Sequence, residues 1–243
     1  MKILLTGEGS TDCGQEKRTS TGPIWEDGPV QIFLNKIADE CSAPIEIMTI
    51  SKTKIAEYRS VKRQRRAVSG LSGHGIKAFY VAQAAADQDC DVAALYADAD
   101  TPRGISPKDK HQCKAWYDEV KRNMICGFSR GTISAAIAII PMKMIECWLL
   151  GDSQTFTALW GRDFDPKYFR SPELIWGAKD DPSSDYPKNK LHRALAECNE
   201  EPNRETYCKI ADASDISQLV ESCPISFGDF YKQCYALFAS VQE

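Results

Sequence analysis

The sequence predicts an α/β protein in which a parallel, four-stranded sheet is flanked by helices and followed by an α-helical C-terminal extension. Strand-like and helix-like segments alternate over residues 1–142, which is typical of parallel β-α-β units. Val92–Ala97 is apolar throughout apart from its tyrosine, as a central parallel strand buried on both faces should be. From Lys143 onward the pattern changes from alternating strands and helices to helices. We therefore expect a sheet domain over residues 1–142 and a helical extension over residues 143–243 that packs on it.

The elements of the sheet domain follow from local periodicity. Residues 2–7 form an apolar run, residues 44–50 alternate between apolar and polar, and residues 134–141 are apolar again, so each predicts a strand. Helical spacing of apolar residues predicts the intervening helices, which are expected at residues 28–41, 76–87 and 110–122.

The helical extension is predicted from amphipathic segments that are too short to be stable alone, so they should pack on the sheet. They span residues 144–150, 187–198, 204–211, 216–221 and 227–241. Residues 152–186 are rich in aromatic residues, Asp and Pro without a long period, and they predict a loop-rich insertion.

Composition limits the class of protein. The chain has 243 residues, a net charge of −4 and ten cysteines, none of them in a C-x-x-C pair. We expect reduced thiols rather than a zinc site, because only three histidines are present. No stretch approaches the roughly 18 apolar residues of a membrane span, and the N-terminal apolar run is too short for a signal peptide. These features predict a cytoplasmic protein that does not enter membranes.

Acidic residues follow two of the predicted strands and suggest a metal site. Asp98 and Asp100 point to the same side of an extended chain, roughly 6 to 7 Å apart, whereas Ala99 points away. Glu8 lies in a glycine-flanked turn, where the backbone can bend sharply and expose a side chain. Carboxylate oxygens are the ligands that hard cations prefer, so these three residues predict a site for Mg²⁺ or Mn²⁺. A solvated loop acid is the alternative for Glu8 taken alone.

A basic run is the one local feature that favours nucleic-acid binding in this acidic chain. It contains five basic residues without an acid among them, and its members are Arg59, Lys62, Arg63, Arg65 and Arg66. Such a run can follow a phosphate backbone, although a solvated helical face is an equally good interpretation of the charge alone.

Other nucleotide-binding motifs do not fit the first acidic segment. Residues 9–16 have the glycine spacing of a P-loop but lack its Lys and the following Ser or Thr. A dinucleotide fingerprint fails because its third glycine would fall at Asp12. A strand followed by Asp-x-Asp also occurs in phosphatases and sugar transferases, but neither explains Glu8.

The chain resembles a TOPRIM domain in two motifs: one strand ends in Gly-Glu-Gly-x-Thr-Asp, and a later strand ends in Asp-x-Asp. The TOPRIM domain is a Rossmann-like metal-binding fold of topoisomerases, primases and OLD-type nucleases. Three further strings resemble a bacterial TOPRIM-like group of uncharacterised function related to RloB, and they extend the resemblance over nearly the whole chain. They begin at Pro141, Pro187 and Cys223.

This resemblance implies a Mg²⁺-dependent or Mn²⁺-dependent nuclease that cleaves phosphodiester bonds in DNA or RNA, tRNA included. It also implies a role in anti-phage defence with an ATPase partner. The alternatives are a non-catalytic subunit of an ATPase complex with a vestigial metal site, and a metal-dependent phosphatase. A homo-oligomer is compatible with each of them.

Three further residues are candidates for such a site. Asp12 and Glu146 are the natural extra ligands for a second cation, and Lys188 could neutralise charge on a phosphate. Asp12 could equally cap the following segment, and Lys188 could be an ordinary surface residue. Glu146 lies in an apolar helix, where an unpaired carboxylate would be costly, so a buried partner or a metal must explain it.

Overall fold

A four-stranded parallel sheet forms the centre of the computed structural model, which describes residues 1–20, 22–62, 66–99 and 109–240. The strands lie in the order β4-β1-β5-β6. Their bounds are β1 Lys2–Gly7, β4 Glu46–Thr49, β5 Val92–Tyr96 and β6 Ala135–Ile139. The predicted sheet, its parallel direction and its four strands are thus confirmed. The narrower TOPRIM identity stays a prediction.

Helices cover both faces of the sheet. Those of the sheet domain are α1 Pro29–Glu40, α2 Lys52–Lys62, α3 Gly73–Asp87 and α4 Lys110–Ser129. Those of the extension are α5 Ile145–Leu149, α6 Ser153–Trp160, α7 Pro187–Ala196, α8 Arg204–Ala213, α9 Ile216–Ser222 and α10 Phe227–Ala239. Among the described residues, no helix combines the length and the apolar composition needed to cross a lipid bilayer.

Several predicted bounds were wrong. The helix expected at residues 110–122 continues to Ser129, and the one expected from Ile76 begins at Gly73, where the Ser72 hydroxyl accepts a hydrogen bond from the Gly75 amide. Residues 152–186 are a loop-rich insertion, as predicted, although α6 and two short 3-10 helices lie within them. The carboxylate of Asp152 starts α6 by accepting from the amides of Gln154 and Thr155.

An antiparallel hairpin was not predicted. It consists of β2 Gln15–Thr19 and β3 Gly22–Glu26, and it follows the first acidic segment. Arg204 of α8 fastens the hairpin to the extension, since its guanidinium donates to the Glu26 carboxylate at 2.8 Å and to the Asp27 carbonyl at 2.6 Å.

Two hydrophobic clusters lie on opposite faces of the sheet. On the α1 face, which α1 and the extension cover, Ile3 and Leu5 of β1 pack beside Tyr96 of β5. On the α3 face, which α2, α3 and α4 cover, Leu4 of β1 packs beside Leu95 of β5. Alternation along each strand therefore decides which face receives a side chain.

Aromatic rings join the extension to the sheet domain. Trp148 of α5 is fully buried, stacks on Phe230 at 5.4 Å between ring centroids, and meets Phe33 of α1 edge to face at 6.2 Å. Its indole N–H donates to the Ser226 hydroxyl at 2.7 Å. The two parts of the chain thus bury their side chains in one hydrophobic cluster.

Replacing Trp148 with alanine should lower the free energy of unfolding by about 3–5 kcal/mol, because the substitution leaves a large cavity in a close-packed core. Urea denaturation monitored by circular dichroism measures the loss. Tyr235→Ala, at a side chain 49 % exposed, is the matched control and should change it by less than about 1 kcal/mol. We also expect a single unfolding transition for the wild type, and a separate transition for the extension would contradict the shared core.

Candidate functional site

The turn after β1 brings Asp12 to the carboxyl edge of the sheet. Gly9 has φ +84°, and a Cβ there would lie 2.5 Å from Asp12 Oδ2. The main-chain carbonyl of Asp12 accepts a hydrogen bond from the Val30 amide at 3.1 Å. A Cβ at Gly28 would lie 2.3 Å from that carbonyl, so glycine is needed at both positions. The backbone of Asp12, rather than its carboxylate, thus contacts the start of α1.

Asp12 and Glu146 form the electrostatic centre of the site. Burial, and then the nearby charge of Glu146, raise the pKa of Asp12 from 3.8 to about 7. Glu146 is 4 % exposed and belongs to α5, which directly follows β6, and burial raises the pKa of its carboxyl as well. Two carboxylates that disfavour each other's charge in a partly desolvated position are the arrangement that a cation relieves.

Three groups partly compensate Glu146. The Tyr207 hydroxyl of α8 donates to Glu146 Oε1 at 3.3 Å, and Lys188 Nζ of α7 lies 3.9 Å from the same oxygen. These contacts, together with a backbone hydrogen bond, act against the rise in the pKa of Glu146. His192 Nε2 lies 3.4 Å from the Tyr207 hydroxyl. Glu146 therefore has the buried partner that sequence reasoning required, and Lys188, 53 % exposed, reaches it from the surface.

Asp98 lies beside this centre. The Tyr96 hydroxyl donates to Asp98 Oδ1 at 2.5 Å and lies close enough to Asp12 to lower the pKa of that carboxyl. The charges of Asp98 and Asp12, after burial, raise the pKa of Tyr96, which therefore stays a neutral donor. Tyr96 is two residues before Asp98 and points to the α1 face, where it orients the carboxylate.

Glu8 lies toward the opposite face. Its carboxylate accepts a hydrogen bond from Lys77 of α3, and this contact, with the charges of Lys77, His74 and Lys52, holds the pKa of Glu8 below its usual value. The structure therefore brings Asp12, Asp98, Glu146 and Lys188 together on the α1 face and pairs Glu8 with a lysine on the α3 face.

Part of the predicted site lies outside the described residues. Asp100, Arg63 and Arg65 belong to the excluded ranges, and the side chain of Lys62 is likewise not described. Of the remaining basic run, Arg59 lies on α2 and Arg66 in an exposed turn. Within the described ranges, no group of three or more His, Cys, Asp or Glu side chains is arranged to hold a metal ion.

The donor chemistry on the α1 face nevertheless fits a hard cation. Asp12, Asp98 and Glu146 offer only carboxylate oxygens, which Mg²⁺ and Mn²⁺ prefer over nitrogen or sulfur. Mg²⁺ keeps several waters and is held by one or two protein carboxylates, so it does not need three ligands from the chain. The charge of Glu146 contributes to the raised pKa of Asp12, so the two carboxylates lie close enough to act on one cation.

Sequence reasoning missed the tyrosines of this site. Tyr96 is fully buried in the core, and its period-two relation to Asp98 could have indicated that both share a face. Tyr207 and His192 belong to helices of the extension, and no local pattern connects them with Glu146. Lys77 was missed as well, although it is the single lysine of an Ala-rich helix.

Comparison with protein-family models, with curated proteins and with solved structures found no match to this chain.

Asp12 should make the protein less stable as pH rises. Its folded pKa of about 7 exceeds its ordinary 3.8, so the folded state binds a proton more tightly and is favoured at low pH. This contribution is complete below about pH 4 and is lost as pH rises through 7. The free energy of unfolding of Asp12→Asn, compared with that of wild type, should therefore be higher at pH 8 than at pH 4 by roughly 1 to 4 kcal/mol.

Urea midpoints measured at both pH values in EDTA check this difference. Asp212→Asn, at an exposed residue of α8, is the control, and its urea midpoint should change between the two pH values by the same amount as that of wild type. A difference between Asp12→Asn and wild type that does not change with pH would contradict the assignment.

Proposed function

We propose that this protein is a Mg²⁺-dependent or Mn²⁺-dependent nuclease whose cation is held at the carboxyl edge of the sheet on the α1 face. The observation that carries the proposal is the partly buried Asp12–Glu146 pair, which raises the pKa of Asp12 to about 7 beside Lys188. The donor set suits a cation, and the adjacent lysine suits a phosphate. The resemblance to TOPRIM domains supports the same chemistry.

Each residue has a separate part in this proposal. One or two of the carboxylates of Asp12, Asp98 and Glu146 hold the cation directly, and the remaining ones hold its waters. The hydroxyls of Tyr96 and Tyr207 orient Asp98 and Glu146. When bound, Mg²⁺ supplies a polarised water and neutralises charge on the phosphodiester. Lys188 Nζ donates to a phosphoryl oxygen, for which a compact ammonium on a flexible stem is suited.

Glu8 and Asp100 complete the cation site in the family that the sequence resembles. For Glu8 to join it, the carboxylate must leave Lys77. That ion pair is weak, because its side chains are 47 % and 43 % exposed and solvent screens them. The basic side of α2, with Arg59, supplies positive charge for a phosphate backbone. An ATPase partner and a role in phage defence remain proposals that rest on the resemblance alone.

Cleavage should require the cation and its carboxylates. Single-stranded and double-stranded DNA and RNA, with tRNA included, are incubated with the protein in Mg²⁺, Mn²⁺ or EDTA, alone and with an ATPase encoded beside it. We expect Asp98→Asn, Glu146→Gln and Glu8→Gln each to lose about 100-fold or more in rate, and Tyr96→Phe to lose about 10–100-fold. Glu221→Gln, at an exposed carboxylate of α9, is the matched control.

Thermal unfolding in the presence of Mn²⁺ separates lost chemistry from lost folding. The carboxylate variants should all lose the cation-induced rise in the thermal midpoint, and in EDTA Glu146→Gln should unfold at the wild-type midpoint or above it, because it removes a charge that disfavours Asp12. No cleavage by wild type in any combination would overturn the nuclease and favour a non-catalytic subunit. Turnover of a small phosphate ester without polynucleotide cleavage would instead indicate a phosphatase.

A further inference from the structure

A cavity of about 380 Å³ lies on the α3 face of β1, between α2 and α3. Its volume falls within the range of roughly 300–1,000 Å³ found for small-molecule sites. Ile55, Val81 and Leu95 supply an apolar wall. Lys52, Arg59 and Lys77 contribute positive charge to the same lining. The cavity therefore suits a small ligand with one apolar part and one anionic part.

Thr6 is the second observation that indicates a ligand in this cavity. Its side chain is 2 % exposed and lines the cavity. Its hydroxyl has no hydrogen-bond partner among the residues that the structure describes. Buried polar groups are ordinarily hydrogen-bonded, so this hydroxyl would gain a partner if rotation about χ1 turned it toward a polar edge of a molecule bound in the cavity.

The charges of the lining match a phosphate. Three basic residues face one acid, Glu8, which is already engaged by Lys77. The net charge of about +2 complements a phosphate monoester or a short stretch of phosphodiester backbone. Arg59 presents a planar fork that binds phosphate oxygens in pairs, and lysines bind the same oxygens as point charges.

We propose that this cavity binds one nucleotide of a single-stranded nucleic acid. The base lies against the apolar wall, with a polar edge at Thr6, and the phosphate lies at Lys52, Arg59 and Lys77. A base that is paired and stacked in a duplex cannot leave the stack to enter a cavity of this size, whereas an unpaired base can. The assignment rests on the proposed function and narrows its substrate to single-stranded segments.

Binding is measurable without a cation and therefore without cleavage. In EDTA, titration calorimetry with adenosine 5′-monophosphate should give an affinity at least about tenfold tighter than with adenosine or with inorganic phosphate, because only the nucleotide fills both parts. Equal affinities for the nucleotide and phosphate would overturn the apolar part of the assignment.

Variants of the lining separate its two parts. Arg59→Ala and Lys52→Ala should each weaken nucleotide binding about tenfold through loss of a charge-assisted hydrogen bond. Thr6→Val keeps the shape, removes the buried hydroxyl and should weaken binding while leaving the thermal midpoint unchanged or higher. Lys54→Ala, on the same helix but outside the lining, is the control and should bind as wild type does. Unchanged affinity in all three lining variants would place the ligand elsewhere.

Competition identifies the source of the nucleotide. A short single-stranded oligonucleotide should displace the mononucleotide, and a hairpin duplex with closed ends should not. If the oligonucleotide fails to compete, the cavity takes a free nucleotide and the single-strand assignment is overturned. Cleavage without mononucleotide binding would overturn only the proposal that the cavity binds a nucleotide. Mononucleotide binding without any cleavage would overturn only the proposed nuclease function.

Discussion

The parallel register between β1 and β5 determines on which face of the sheet Glu8 and Asp98 lie. Thr6 pairs with Leu95 and Gly7 pairs with Tyr96, so side chains opposite each other share a face of the sheet. The Thr6 position opens toward α2 and α3, and the Tyr96 position opens toward α5, α7 and α8. Glu8 follows the first of these directions and Asp98 the second. A shift of one residue in this register would exchange the two faces and dismantle both the carboxylate site and the cavity.

Elements that are distant in the chain bring together carboxylates whose charges repel each other. Asp12 follows β1, Glu146 follows β6, and Tyr207 comes from α8, which also anchors the β2–β3 hairpin through Arg204. The aromatic cluster around Trp148 keeps α5 against the sheet and so fixes Glu146 at the edge. Packing energy thus compensates the unfavourable proximity of Asp12 and Glu146, as is common where a site serves binding rather than stability.

The sequence predicted the sheet well because its strands are apolar or alternating and are separated by clear helical periods. It did not predict the β2–β3 hairpin, since Gln15–Thr19 is polar and exposed and carries no burial pattern. The eight residues of α6 are short and stand among aspartates and aromatics, which hides their period. Asp12, Asp98 and Glu146 were predicted as site residues from their positions after strands, whereas Tyr207 and His192 come near Glu146 only through tertiary packing. The opposite direction of Glu8 follows from register, which a single sequence does not reveal.

Lys77 links the proposed cation site to the cavity. Its ammonium donates a hydrogen bond to the Glu8 carboxylate, and its side chain also lines the cavity on the α3 face. Any cation that draws Glu8 away leaves Lys77 with an uncompensated charge, which makes the cavity more attractive to an anion. By thermodynamic reciprocity, an anion that captures Lys77 frees Glu8 and raises the affinity for the cation by the same factor. If both proposed ligands bind, this one lysine couples binding of the cation at Glu8 to binding of the anion in the cavity.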